Sequence, residues 1–249
     1  SEEARDALAE RAGGDARLSL NALETATIVA LGRGSSAIEV PDVEEALQRR
    51  VIRYDKSGDA HYDVVSAFIK SLRGSDPDAA LYWLHTMLEA GEDPEFIARR
   101  MIVFASEDVG VADAMALPVA VAASQALAYV GLPEASFALS HAAVHLATAP
   151  KSNSVTKAMG EAGRLVAEST TISVPMHLRD AHYQGAATLG HGDGYRYPHD
   201  YDGHIVAQDY FPPELGEQTV YRPTDQGREA SVRERLSEMD QRAGRRRDR

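Results

Sequence analysis

The dipeptide Asp-Pro occurs twice, as Asp76-Pro77 and Asp93-Pro94, each time directly ahead of apolar residues at helical spacing. Proline has a fixed φ and no amide hydrogen, so it suits the first position of a helix, and an aspartate before it can accept the amides left over there. Leu81, Leu84 and Leu88 follow the first signal, and Ile97, Met101 and Phe104 follow the second. The same spacing predicts helices at Tyr62, Val65, Ile69 and Leu72, across the alanine-rich runs 114–130 and 134–147, and at Val155, Ala158, Met159, Ala162, Leu165 and Val166. Pro118 reads as part of the start of the long alanine-rich helix rather than its interior. Six helices joined by short turns predict an α-helical bundle or solenoid-like domain, and no repeating sequence marks a repeat protein.

Three more helices are expected ahead of this series: one ending at Gly13, one over Ala16–Leu31 and one over Asp42–Arg50. The polar break Tyr54-Asp55-Lys56-Ser57-Gly58-Asp59 separates the two groups. Beyond Ser169 the helical period is lost. Residues 185–223 are rich in Gly, Pro, Tyr and His, and predict an extended segment pinned to the bundle by Tyr195, Tyr197, Tyr201, Tyr210 and Phe211. From Thr224 a polar helix trails into Arg245-Arg246-Arg247. The fold class is therefore all-α, divided into residues 1–50, a helical domain over 51–223, and a polar, mobile tail over 224–249. The helical pattern that begins directly after Ser1 reads as a cut inside a domain.

Composition narrows the function. A net charge of −12 argues against a surface that is nucleic-acid groove throughout, while leaving room for a local basic patch. The chain has no cysteine, hence neither a disulfide framework nor a thiolate metal site, as in a cytoplasmic protein. The most apolar run, Met115–Leu132, contains Pro118, Ser124 and Gln125 and reads as a buried helix rather than a membrane span.

Few residues point to chemistry. Asp15 can cap the helix that follows Gly13-Gly14, and Arg17 then falls in its first turn, where the helix dipole disfavours a cation. An anion such as a nucleotide phosphate would explain the arginine, and an ordinary solvated side chain is the other reading. Lys151, Lys157 and Arg164 suggest a phosphate-contacting patch on a helix opened by Ser152-Asn153-Ser154, against the alternative of a solvated charged face. His177, His182, His191, His199 and His204 lie near Asp180, Asp193, Asp200 and Asp202 but show neither H-x-x-x-H nor H-E-x-x-H spacing, so loop packing is preferred to a metal site. Glu107 and Asp108 are adjacent on a helix and diverge, which suits a helix terminus better than paired acid–base catalysis.

The segment GDARLSLNALE resembles the sensor-2 stretch in the lid of clamp-loader-type AAA+ ATPases. RRMIVFASEDVGVAD (99–113), HLATAPKSNSV (145–155) and GYRYPHD with QDYFPPEL (194–215) resemble the replication-associated recombination protein A family, also called RarA or MgsA, with the Werner-helicase-interacting ATPases as eukaryotic relatives. The resemblance implies an AAA+ lid remnant over 1–50 and a helical tetramerisation domain over 51–223. It also implies a role for Arg17, supported by Asp15, at the ATP phosphates. For the intact protein it implies a cytoplasmic, nucleoid-associated ATPase using ATP and Mg²⁺, stimulated by DNA with single-stranded gaps or ends. Such a protein forms a homotetramer and associates with single-stranded-DNA-binding protein at replication forks. Leu18-Ser19 departs from the second basic residue usual after the sensor arginine, and Pro118 also departs from the common pattern. No G-x-x-x-x-G-K-[ST] loop occurs in these residues, so the chain by itself is not expected to hydrolyse ATP, and no catalytic residue is assigned in it. A helical adaptor that binds a protein or nucleic acid alone is the rival reading.

Overall fold

A computed structural model describes residues 1–12, 16–48, 59–169 and 173–247. Among them are ten α-helices and no strand, so the all-α expectation holds. The chain divides into two units, Ser1–Val65 with His85–Glu92, and Ser66–Leu84 with Asp93–Arg249. The polar break at 54–59, where the sequence places a domain boundary, lies almost wholly outside the described residues.

In the first unit α1 (Glu2–Ala12), α2 (Ala16–Gly32) and α3 (Val40–Gln48) pack against one another. Their core is small: Ala4 and Leu8 from α1, Ala22 and Ala26 from α2, Val43 and Ala46 from α3. Asp42, itself buried, organises the start of α3 by accepting the Glu39 amide at 2.8 Å. Its charge is answered by Arg33, whose Nη2 lies 2.5 Å away.

The predicted helix starts recur in α5 (Pro77–Glu89) and α6 (Pro94–Phe104). Asp76 accepts the Ala79 amide and Asp93 accepts the Glu95 amide, each at 2.9 Å, so both aspartates satisfy donors that the first turn leaves unpaired. α4 (Asp59–Arg73) precedes them, and α7 (Ala116–Val130), α8 (Ser136–Thr148) and α9 (Ser154–Glu168) follow. α6 packs on α7 and α8, and α7 runs against α8. Ala116, Ala120 and Ala123 on α7, and Ala142, Ala143 and Ala147 on α8, are buried, and small side chains at these positions let the two backbones approach closely. Larger side chains fill the rest of the second unit's core, among them Phe68, Leu72, Leu84, Ile97, Met101, Phe104, Leu139 and Leu146. Pro118 is the third residue of α7, inside its first turn, where no helical hydrogen bond is lost.

Three features depart from the sequence reading. The α9 stripe is only partly used: Leu165 is buried, while Met159 and Val166 are 71% and 68% exposed. The irregular segment is held less by its aromatic rings than the sequence suggests: Tyr195, Tyr197, Tyr201 and Tyr210 are exposed and Phe211 is half-buried, whereas Ala186, Val206 and Pro223 are buried. The polar helix expected after Thr224 forms as α10 (Glu229–Arg242), but its first residue is fully buried rather than solvated.

Candidate functional site

Asp15 lies outside the described residues, as does the Arg17 side chain; the Arg17 backbone belongs to the first turn of α2. The other three candidate cations do not form one cluster. Lys151 turns its ammonium onto the C-terminal end of α8, donating to Ala147 O at 2.9 Å and Ala149 O at 2.5 Å, and to Ser75 Oγ at 3.1 Å. Burial pushes its pKa below the usual lysine value, against a smaller opposing pull from Asp108. Arg164 is held between Glu161 at 2.6 Å and Glu168 at 2.5 Å on its own helix, and hydrogen bonds to these carboxylates raise its pKa. Lys157 is exposed and makes no ion pair among the described residues.

The late histidines are dispersed in loop contacts. His182 Nδ1 lies 2.9 Å from Asp180 Oδ1, His177 Nε2 lies 2.8 Å from Asp209 O, and His191 Nδ1 lies 2.6 Å from the Tyr183 hydroxyl. The His199 and His204 rings sit 4.7 Å apart, tilted. Among the described residues no three His, Asp or Glu side chains converge on a point that would hold a metal ion.

The densest polar constellation involves a residue that the sequence does not single out. Glu229 is 0% exposed, and its carboxylate accepts five hydrogen bonds. On Oε2 these come from Ser152 Oγ at 2.6 Å, Thr224 N at 2.9 Å and Thr224 Oγ1 at 2.7 Å. On Oε1 they come from the Tyr221 hydroxyl at 2.7 Å and the Ser154 hydroxyl. Burial alone raises a carboxyl pKa; here the bonds from Ser152, Ser154 and Thr224 outweigh it and hold Glu229 at about 2. A carboxylate with its lone pairs saturated and so low a pKa is a poor proton acceptor, so the group works as a clamp rather than a general base. No sequence motif identifies Glu229: Thr224 and Tyr221 lie five and eight positions before it, and Ser152 and Ser154 more than seventy.

The surroundings of the clamp are held with equal care. The helical path of α6 continues into a π-turn over Ala105–Val109. There Arg73 grips Asp108 with one edge of its guanidinium, Nε donating at 2.6 Å and Nη2 at 3.0 Å to the two carboxylate oxygens. The Asp108 carbonyl accepts the Ser152 amide at 2.7 Å, and the Glu107 carbonyl accepts the Thr156 hydroxyl at 3.0 Å. Opposite, the Ala112 carbonyl accepts the Arg228 amide at 2.8 Å. Gly227 has φ +51° there, and a Cβ on it would fall on Ala112 O and within 2.5 Å of Pro150 Cγ. The adjacent acids Glu107 and Asp108 thus belong to a structural joint.

Comparison with known proteins decides the family. The model for the MgsA AAA+ ATPase C-terminal region matches residues 74–240, and that for an AAA C-terminal domain matches residues 1–73. The chain belongs to the MgsA family of AAA+ ATPases. It is 52% identical over 95% of its length to an uncharacterized AAA domain-containing protein of Mycobacterium tuberculosis, covering 52% of that protein. It is 44% identical over 91% of its length to replication-associated recombination protein A of Bacillus subtilis, covering 54% of it. Against the ATPase WRNIP1 of Dictyostelium discoideum the figures are 40% and 85%, with 26% of that protein covered. The chain therefore spans about half the length of the bacterial relatives. The two MgsA-like stretches 99–113 and 145–155 meet in the structure: Asp108 and Ala112 come from the first, Lys151, Ser152 and Ser154 from the second. Glu229 locks the second stretch to the start of α10. Among the described residues, no helix is long and apolar enough to cross a membrane.

Proposed function

We propose that this chain is the subunit-assembling, C-terminal part of a DNA-dependent AAA+ ATPase that acts in replication-associated recombination. The observation that carries the reading is the family match over 74–240 together with that over 1–73, in the order lid-type segment then helical domain. ATP and Mg²⁺ are held by residues outside this chain, whose own sequence contains no P-loop. Arg17, whose backbone lies in the first turn of α2, contributes to the nucleotide site, supported by Asp15. The assembled protein is a homotetramer, meets DNA with single-stranded gaps or ends and single-stranded-DNA-binding protein, and works at the nucleoid.

Helix faces left without internal partners support assembly through the helical domain. Tyr129 at the end of α7 is 93% exposed and Phe137 at the start of α8 is 80% exposed. Large apolar side chains that an ordered surface leaves in solvent are candidates for a subunit contact. The stiff joint around Glu229 supplies what a subunit collar needs, a body that transmits lid movement without deforming. The test is ATP turnover with and without gapped DNA by the ATPase that contains these residues. Arg17→Ala is expected to lower the stimulated rate by at least about tenfold, as loss of a charge contact at a reacting phosphate does. Unchanged turnover would remove Arg17 from the nucleotide site.

A further inference from the structure

Three arginines in the second unit stand apart from the carboxylates around them. Arg233 on α10, and Arg245 and Arg246 just beyond it, border a groove of about 720 Å³ that Ser237 and Gln241 also line. The acids beside this groove are largely engaged elsewhere. Glu238 lies 3.1 Å from Arg235 and 2.9 Å from Arg242. Asp240 is nearly buried and lies 3.9 Å from Arg247, which also reaches Glu217 at 3.2 Å. Arg233, Arg245 and Arg246 have no ion-pair partner among the described residues. Of the three acids in the groove wall, Glu238 and Asp240 are already paired with other arginines and only Glu234 is left to oppose these three, so a chain of net charge −12 carries here a local excess of positive charge.

The stretch that carries Arg245 and Arg246 is also placed rather than trailing. The Arg245 amide donates to Asp240 O at 2.8 Å and the Arg246 amide to Glu217 Oε2 at 3.2 Å, which fixes the path of the chain after α10. The Arg245 guanidinium lies 5.3 Å from the centroid of the Tyr210 ring, and that ring is itself exposed. A planar cation on an exposed aromatic is a surface on which an unpaired base can stack, with neighbouring guanidinium groups meeting the phosphates on either side. A base inside a duplex cannot reach such a surface.

We propose that this groove binds single-stranded nucleic acid, with Arg233, Arg245 and Arg246 on the phosphates and the Arg245–Tyr210 pair under a base. The inference rests on the DNA-dependent reading above and assigns it a location distinct from Lys151, Lys157 and Arg164. The probe is a fluorescently labelled oligo-dT of about 16 nucleotides, with anisotropy followed across a salt series using this chain. Combined Arg233→Ala, Arg245→Ala and Arg246→Ala substitution is expected to weaken binding at least about tenfold. The slope of log affinity against log salt should fall by about 2, since each phosphate contact on a single strand contributes about 0.7. Arg245→Lys keeps the charge, and should weaken binding without changing that slope. Tyr210→Ala should cost about fivefold, equally without a change of slope.

Wild-type affinity in the triple variant would overturn the location while leaving the DNA-dependent reading intact. A duplex of equal length bound as tightly as oligo-dT would overturn the stacking surface. Failure of the wild-type chain to bind any oligonucleotide would overturn this site, whereas the turnover experiment judges the ATPase reading separately.

Discussion

Ser152 donates its hydroxyl to the Glu229 carboxylate at 2.6 Å across 77 positions of sequence, and Ser154, two residues on, closes the same carboxylate from its other oxygen. Ser152 in the loop and Ser154 at the start of α9 thereby hold the first residue of α10 inside the second unit. The loop is held in turn by its own amide on Asp108, so the joint links three separate stretches of chain through one buried charge.

Replacing that charge measures the joint. Glu229→Gln keeps the shape but turns an acceptor of five hydrogen bonds into a neutral group that carries two donors of its own. The expected loss is about 2–4 kcal/mol, on the scale of breaking charged hydrogen bonds in a buried site. Urea unfolding at neutral pH provides the value, and a difference below about 0.5 kcal/mol would show that the clamp is not stabilising.

The same residue sets a pH dependence. Its folded pKa, about 2, lies below the usual value of 4.5, so the folded state binds the proton less readily than the unfolded chain does. The stability it contributes is complete above the unfolded value and is lost as pH falls from about 4.5 towards 2. The gap between wild type and Glu229→Gln should therefore be constant from pH 7 to about 5 and close below that. A gap that stays open at pH 2.5 would contradict the assignment.

Gly227 offers a test without charge. Its φ is +51°, and an added methyl group would meet the Ala112 carbonyl and the Pro150 ring. Gly227→Ala should cost about 2–3 kcal/mol by the combined effects of backbone strain and overpacking. Gly163→Ala on α9 has open space and an ordinary helical backbone, and should be neutral or stabilising by up to about 1 kcal/mol. Thermal midpoints of the two variants should move in opposite directions.

Lys151 separates a structural cation from a ligand-binding one. Its ammonium already meets two α8 carbonyl groups and the Ser75 hydroxyl. Lys151→Met should lower stability by about 1 kcal/mol and leave the salt slope of oligonucleotide binding unchanged. A change of slope with no change of stability would place the side chain on a phosphate instead.

The helical scaffold was legible because its signals are local. Asp76-Pro77 and Asp93-Pro94 mark helix starts within four residues, and Ile97, Met101 and Phe104 keep one face at helical spacing and are all buried. Single residues within stripes were less legible: Tyr62 is exposed while Phe68, which the stripe passed over, is completely buried, since periodicity gives a face but not which end of it meets a neighbour. The α9 stripe is apolar at helical spacing, yet Met159 and Val166 stand in solvent. An apolar face has the same pattern whether it packs inside the chain or awaits a second one. The joint itself was hidden, because KSNS and Glu229 acquire meaning only once the fold has brought them together.

Those outward faces bear on the central claim, which is that these residues assemble subunits. The decisive measurement is the solution mass of the chain by light scattering across a concentration series, for wild type and for Phe137→Glu with Met159→Glu. Both positions are well exposed, so the substitutions should change monomer stability by no more than about 0.5 kcal/mol each. A stable wild-type species of four times 26.9 kDa that the paired substitution dissociates is the predicted result. A wild-type chain that stays at 26.9 kDa throughout the series would contradict the account.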